Sequence, residues 1–130
     1  MTADTLRPDA DAGLAYAVDG RRVTPDAFYA VACDPRRSVA VEACAGAGKT
    51  WMLVSRILRA LLAGAAPHEI LAITFTKKAA GEMRARLHEW LESFAHAGDD
   101  ALLRELLARG VPAADAPALV APLRGLYAQL

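Results

Sequence analysis

The spacing of apolar residues changes several times along this chain, and each change marks an element. Residues 1 to 22 are mostly polar and carry Pro8, Gly13 and Gly20, which predicts a loose leader with at most one short element around Leu14 to Val18. In "TPDAFYAVACD", Thr24 is a good N-cap and Pro25 suits the first helical position, so a helix is expected to run to about Asp34 and Pro35. "SVAVEA", Ser38 to Ala43, is short and apolar, as in a strand buried within a parallel sheet. From Lys49 the period becomes helical. Val54, Ile57, Leu58, Leu61 and Leu62 form one stripe, Arg56 and Arg59 lie off it, and Gly64 acts as a stop. "ILAITF", Ile70 to Phe75, predicts a second strand. After it Ala80, Met83, Leu87, Trp90, Leu91 and Phe94 share a helical face that Gly98 closes.

Strand, helix, strand, helix with a crossover of this length describes a right-handed βαβ unit, and hence a parallel sheet. Beyond Gly98 the pattern is helical throughout. Asp99 and Asp100 cap "ALLRELLARG", and Asp115 precedes "APALVAPLRGLYAQL", where Pro122 argues against a straight final helix. The expected division is a polar leader over 1–22, an α/β portion over 23–97 and a helical segment over 98–130.

Length and composition narrow the class. A chain of 130 residues with 55% hydrophobic content can bury a core and reads as globular. Net charge is zero, so attraction to nucleic acid has to come from a local patch. Such a patch exists. Between Lys49 and Trp90 there are seven basic residues (Lys49, Arg56, Arg59, Lys77, Lys78, Arg84, Arg86) against three acidic ones (Glu69, Glu82, Glu89), whereas before Pro35 the balance is three against six. Cys33 and Cys44 have neither metal-ligand spacing nor the number for a disulfide framework. The acidic start lacks a signal-peptide pattern and no run reaches the length of a membrane span, so a cytoplasmic protein without a membrane partner is expected.

The candidate chemistry begins at Ala43-Cys44-Ala45-Gly46-Ala47-Gly48-Lys49-Thr50, between the first expected strand and the first long helix. These residues fit the phosphate-loop pattern with Ala43 in place of its first glycine. A strand turning sharply into a helix start presents a ring of N–H groups and the positive end of a helix dipole, which suits a polyphosphate. Gly46 and Gly48 allow backbone angles that a Cβ would forbid. In that frame Lys49 reaches the β- and γ-phosphates of ATP, and the Thr50 hydroxyl ligates Mg²⁺. All eight residues are candidate nucleotide contacts; Lys49 and Thr50 are the candidate catalytic pair, and Thr50 the metal ligand. The bland alternative is a glycine-rich turn with an incidental lysine, and the order strand, Gly-x-Gly-Lys-Thr, helix speaks against it. Cys44 is expected to fill a small-residue position.

A second segment, "LAITFTKKAAGEMRARL" from Leu71 to Leu87, resembles motif Ia of the UvrD/RecB/AddA-like superfamily 1 DNA helicases, and "VEACAGAGKTW" stands where motif I of that family belongs. The resemblance implies a P-loop NTPase (RecA-like) parallel sheet, here partial, with an all-helical C-terminal portion that begins an inserted helical subdomain. It further implies an ATP-dependent 3′ to 5′ DNA helicase or helicase-nuclease subunit of recombination and repair, whose partners would be single- and double-stranded DNA and a second helicase-nuclease subunit. Thr74, Phe75, Thr76, Lys77 and Lys78 become candidate DNA contacts. An aromatic at a strand end can stack on an unpaired base, and lysines at a helix start add charge to outward N–H groups. The alternative makes Phe75 a core residue and the lysines a solvated helix start. Arg84 and Arg86 are expected to be solvated, Trp90 and Phe94 to be core, and Glu82 to pair with Arg86 four residues on.

The sequence departs from the family pattern in two respects. Ala27 stands where UvrD-like members carry a glutamine that reads adenine, and the only glutamine in the chain is Gln129; Phe28 or Tyr29 either stacks on a base or forms the apolar face of a helix. No strand ends in the Asp-Glu pair that would hold Mg²⁺, no arginine finger can be assigned, and there is no second motor domain. The chain is therefore expected to be the opening of a longer helicase, inactive alone and with apolar surface exposed on its helical half. A non-catalytic nucleotide- or DNA-binding module and another P-loop phosphotransferase are the rival accounts.

Overall fold

A computed structural model of the chain describes residues 15–43 and 48–130. Strands β1 (Tyr16–Val18) and β2 (Arg21–Val23) form an antiparallel hairpin in which Tyr16 faces Val23 and Val18 faces Arg21. The turn between them is Asp19-Gly20, with φ of 50° and 81°. Asp-Gly tolerates two successive positive φ values, and the twist of such a turn matches that of the strands. The pattern predicts a loose leader here; the described part of it is this hairpin.

Helix α1 (Pro25–Ala32) starts as expected, with Thr24 Oγ1 accepting from the Ala27 N–H at 3.3 Å and Pro25 in the first turn. Helix α2 (Lys49–Leu62) buries Met52, Val54, Ser55, Leu58 and Leu61. It ends at Gly64, φ 104°, where Gly64 N–H donates to Leu61 O at 3.1 Å and Ala65 N–H to Ala60 O at 3.0 Å. This is the Schellman geometry that only a left-handed residue closes easily. Helix α3 (Lys77–Ala95) follows a short 3₁₀ turn (Pro67–Glu69), and helices α4 (Asp99–Ala108) and α5 (Ala116–Gly125) complete the chain with a 3₁₀ turn over Leu126–Gln129. Gly98 is the N-cap of α4 rather than the stop of α3, and Pro122 lies inside α5 without ending it.

The expected parallel sheet is not formed among the described residues. Ser38–Ala43 and Ile70–Phe75 carry no ladder, and the hairpin is the sheet that the described residues contain. Strands are held by hydrogen bonds to a neighbour at about 4.8 Å, and these two segments pair neither with each other nor with the hairpin. Leu71 (83% exposed), Ile73 (82%) and Phe75 (107%) consequently face solvent at the period of a strand. The largest apolar exposure is therefore here; on the helical half Leu107, Tyr127 and Leu130 are exposed only by about two-fifths (41%, 41% and 44%).

The core lies between the helices. Leu58 and Leu61 of α2, Leu91 and Phe94 of α3, Leu102 and Leu106 of α4, and Val120 and Leu123 of α5 form one cluster, and a small second cluster joins Ala32 and Cys33 to Met52. Phe94 is thus core as expected and Trp90 packs at its edge, while Arg84 and Arg86 are exposed. Glu82 and Arg86, both exposed, form no ion pair; the ion pairs of the described residues include Arg109–Glu105 at 2.5 Å and Arg124–Asp99 at 2.5 Å.

Candidate nucleotide and nucleic-acid site

Of the phosphate-loop residues, Cys44, Ala45, Gly46 and Ala47 lie outside the described residues, and Ala43 and Gly48 bracket them. Ala43 is exposed and irregular. Gly48 is the N-cap of α2 at φ 82° and ψ 18°, a left-handed conformation that a side chain would disfavour, and no side chain caps the helix there. Lys49 and Thr50 occupy the first turn, both exposed, and no acidic residue accompanies them. Among the described residues neither side chain has a hydrogen-bond or ion-pair partner. A cation at the positive end of a helix dipole is locally unfavourable, by roughly 0.3–1 kcal/mol. An uncapped helix start, a left-handed glycine and an unpaired lysine fit a nucleotide's phosphates, and a free hydroxyl at Thr50 fits Mg²⁺.

Lys49 and Gly48 border a cleft of about 800 Å³ whose other walls are the hairpin (Tyr16, Asp19, Gly20), α1 (Phe28, Tyr29) and the segment Ala40–Ala43. Tyr16 and Phe28 pack with ring centroids 4.8 Å apart, and the Tyr16 and Tyr29 hydroxyls share a hydrogen bond of 3.2 Å. Burial, with that bond to Tyr16, pushes the Tyr29 phenol up to about 12.

Behind the cleft, α2 is pinned by arginines. Arg56 donates to the Ala32 and Asp34 carbonyls, each at 2.9 Å, and to Arg37 O, so it gathers the free carbonyls beyond α1. Arg59 reaches Arg109 O and Gly110 O at 3.4 and 3.5 Å, doing the same for α4. Arg109 is itself buried, its guanidinium carbon 4.9 Å from the Trp51 ring centre and 4.4 Å from that of Trp90. Burial pulls its pKa down, opposed by the Glu105 carboxylate. Cys33, fully buried, has a thiol pushed up to about 11 by burial, against the lowering influence of Arg59, Arg109 and Arg56. Through Trp51, which follows Lys49-Thr50, the first turn of α2 rests on this cage.

The second segment opens α3. Thr76 is its N-cap, accepting from the Ala79 N–H at 3.0 Å, and Thr74 Oγ1 donates to Thr76 O at 2.8 Å. Phe75 is fully exposed, not core, and Lys77 and Lys78 stand exposed in the first turn with no acidic residue beside them. The structure thus brings Thr74, Phe75, Thr76, Lys77 and Lys78 onto one exposed helix start, as it brings Gly48, Lys49 and Thr50 onto another. The periodicity of α2 marked Arg56 and Arg59 only as off-stripe residues; Arg109 and Tyr16 had no role in the sequence pattern. The Asp19-Gly20 dipeptide could have announced the hairpin that carries Tyr16.

Helices α2 and α3 both begin with exposed lysines that have no acidic residue in their first turn. The UvrD/REP helicase N-terminal domain family matches residues 23–114, well over half of the chain, and the chain belongs to that family. Its curated relatives include ATP-dependent helicase/nuclease subunits from several bacteria. The one from Moorella thermoacetica is 42% identical over 97 residues that cover 70% of this chain and 7% of that protein. The corresponding protein of Lactobacillus helveticus is 48% identical over 54 residues, covering 42% of this chain and 4% of its own length, and that of Streptococcus sanguinis 38% over 73 residues, covering 56% and 6%. The chain therefore spans only a small part, 4% to 7%, of the length of these curated relatives. No solved structure matches it. None of the helices among the described residues is long and apolar enough to cross a membrane.

Proposed function

We propose that this chain forms the nucleotide-binding opening of an ATP-dependent DNA helicase or helicase-nuclease subunit that acts in recombination and repair. The observation that carries the reading is the pair of lysine-headed helix starts, one at Gly48–Thr50 and one at Thr76–Lys78, in a chain of the helicase N-terminal domain family. Lys49 and the phosphate-loop backbone bind the nucleotide's phosphates, and Thr50 ligates Mg²⁺. ATP with Mg²⁺ supplies the phosphoryl group whose hydrolysis drives translocation. Thr74 to Lys78 contact single-stranded DNA, the lysines through phosphate and Phe75 through a base face. Ser38–Ala43 and Ile70–Phe75 are strands of a parallel P-loop sheet whose pairing partners lie elsewhere in a protein of the relatives' length. The protein partner is a second helicase-nuclease subunit. The residues here bind but do not unwind by themselves, because unwinding couples hydrolysis to closure between domains.

Filter binding with single-stranded DNA, with and without Mg²⁺ and ATP, tests the reading. Retention of DNA that falls with rising salt and is lost in the Lys77→Ala, Lys78→Ala double variant is expected. DNA binding that survives this double change would sink the assignment of the segment, and nucleotide binding that survives Lys49→Ala would sink that of the loop.

A further inference from the structure

From Leu71 to Phe75 the backbone is a strand edge without a neighbour. None of its N–H or C=O groups has a hydrogen-bond partner among the described residues. Its two faces differ. Ile70 and Ala72 border a groove of about 360 Å³ walled by Leu61 of α2 and by Met83 and Leu87 of α3, whereas the side chains of Leu71, Ile73 and Phe75 are largely in solvent. A row of free backbone groups beside an alternating apolar face is a template for pairing with another chain. The other segment without a ladder is less open, because Val39 and Val41 within Ser38–Ala43 are half-buried. The ends of the Ile70–Phe75 segment carry opposite charges, Glu69 before it and Lys77 after it, both exposed.

We propose that the segment Ile70 to Phe75 pairs antiparallel with the same segment of a second copy of this chain, about a two-fold axis through Ile73. In that register Ile73 lies opposite Ile73, and Leu71 opposite Phe75 on either side of the axis. Every exposed apolar residue of the strand then has an apolar partner across the ladder. The same register sets Glu69 opposite Lys77 at each end, carboxylate against ammonium. Parallel pairing would instead bring Lys77 and Lys78 against their own copies, and like charges directly opposite are unfavourable. The edge is thus complementary to itself in both apolar pattern and charge, as a closed two-fold contact requires. This pairing is independent of nucleotide and DNA binding. A strand supplied by a longer protein and the second copy would compete for the same edge.

Sedimentation equilibrium of the 130-residue chain from about 10 μM to about 1 mM should show a monomer–dimer equilibrium with Kd on the order of 100 μM, the strength of a small interface. Ile73→Lys puts like charges on the axis and should weaken association by at least about tenfold. Because Ile73 is exposed, the circular dichroism of this variant should match that of the parent. Lys77→Glu should weaken association by roughly 3- to 10-fold, and adding Glu69→Lys should restore it to within about threefold, a recovery that non-specific apolar contact would not give. Disulfide formation reads the register in a Cys44→Ser background, where the remaining native thiol, Cys33, is buried. Ile73→Cys should cross-link to its own copy at least about tenfold faster than Leu71→Cys or Phe75→Cys alone, and the latter two should cross-link to each other when mixed. A chain that stays monomeric over this range leaves the edge to another occupant and overturns the pairing. So does association indifferent to Ile73→Lys, or cross-linking at equal rates at the three positions.

Discussion

Helices α2 and α3 begin with Lys49 and with Lys77-Lys78, whereas α4 begins with Asp99-Asp100. The aspartates complement the helix dipole, and Asp99 also holds Arg124 of α5 at 2.5 Å. The lysines oppose the dipole and have no acidic neighbour in their turn. One region is arranged for its own stability and the other keeps a local cost that an anionic ligand would relieve. The apolar residues show the same contrast: Leu102, Leu106 and Leu123 are fully buried, while Leu71, Ile73 and Phe75 face solvent.

The two regions meet where Gly110 crosses α1, and the largest effects are expected there. Gly110 sits at φ 81°, and a Cβ would overlap the backbone of Tyr29 and Ala30. Gly110→Ala should cost about 3 kcal/mol or more, from the left-handed backbone and the forced separation of α1 from α4 together. Urea unfolding would measure it; a loss below about 1 kcal/mol would mean that the seam is slack. Next comes Arg109→Ala, which removes the guanidinium packed 4.9 Å from the Trp51 ring centre and 4.4 Å from that of Trp90. A loss of about 2–3 kcal/mol is expected, from stacking and buried stem alike. Trp51 and Trp90 are the only tryptophans in the chain, so their fluorescence reports on this cage, and an unchanged spectrum would show that the rings do not depend on the arginine.

Charge exchange sharpens the contrast directly. Lys77→Glu with Lys78→Glu should stabilise the chain by about 0.5–1 kcal/mol while abolishing retention of single-stranded DNA, and Asp99→Asn with Asp100→Asn should destabilise it by a similar amount. Thermal unfolding in low salt reads both; a destabilised glutamate variant would remove the dipole argument for α3.

The smallest effect at neutral pH is the alkaline one. The Cys33 thiol rises from 9.0 to about 11 and the Tyr29 phenol from 10.0 to about 12, each through burial first. Both groups stay neutral in the folded chain where the unfolded chain has lost the proton. Their contribution is therefore whole below pH 9 and lost as pH rises through 11 and 12. Stability should be level near neutrality and fall from pH 9 upward, and iodoacetamide at pH 8 should label Cys33 only as the chain unfolds. Rapid labelling in the folded state would contradict its burial.

Much of this was legible in the residues. Thr24-Pro25, Thr76 and Gly64 fix helix ends through local hydrogen bonds and backbone angles, which is why those boundaries emerged from the pattern. The stripes of α2 and α3 were legible because 3.6-residue periodicity is a local property. The motifs at Ala43–Thr50 and Leu71–Leu87 led to the helicase family by residue type and spacing.

Other features depended on partners distant in the chain. Ser38–Ala43 and Ile70–Phe75 have the composition of strands, but a strand exists only where another lies beside it, and composition cannot supply that neighbour. Arg56 and Arg59 stood off the apolar stripe of α2, and Arg109 had no role in the sequence pattern. The tertiary structure turned them inward, because the carbonyls past α1 and α4 needed donors and the Trp51 and Trp90 rings, tilted 60° to each other, both offer a face to the Arg109 guanidinium. The sequence by itself determined the helices, their ends and the family. Only the tertiary structure decided which arginines bind the helices together and that Phe75 stands in solvent, since both depend on contacts between residues far apart in the chain.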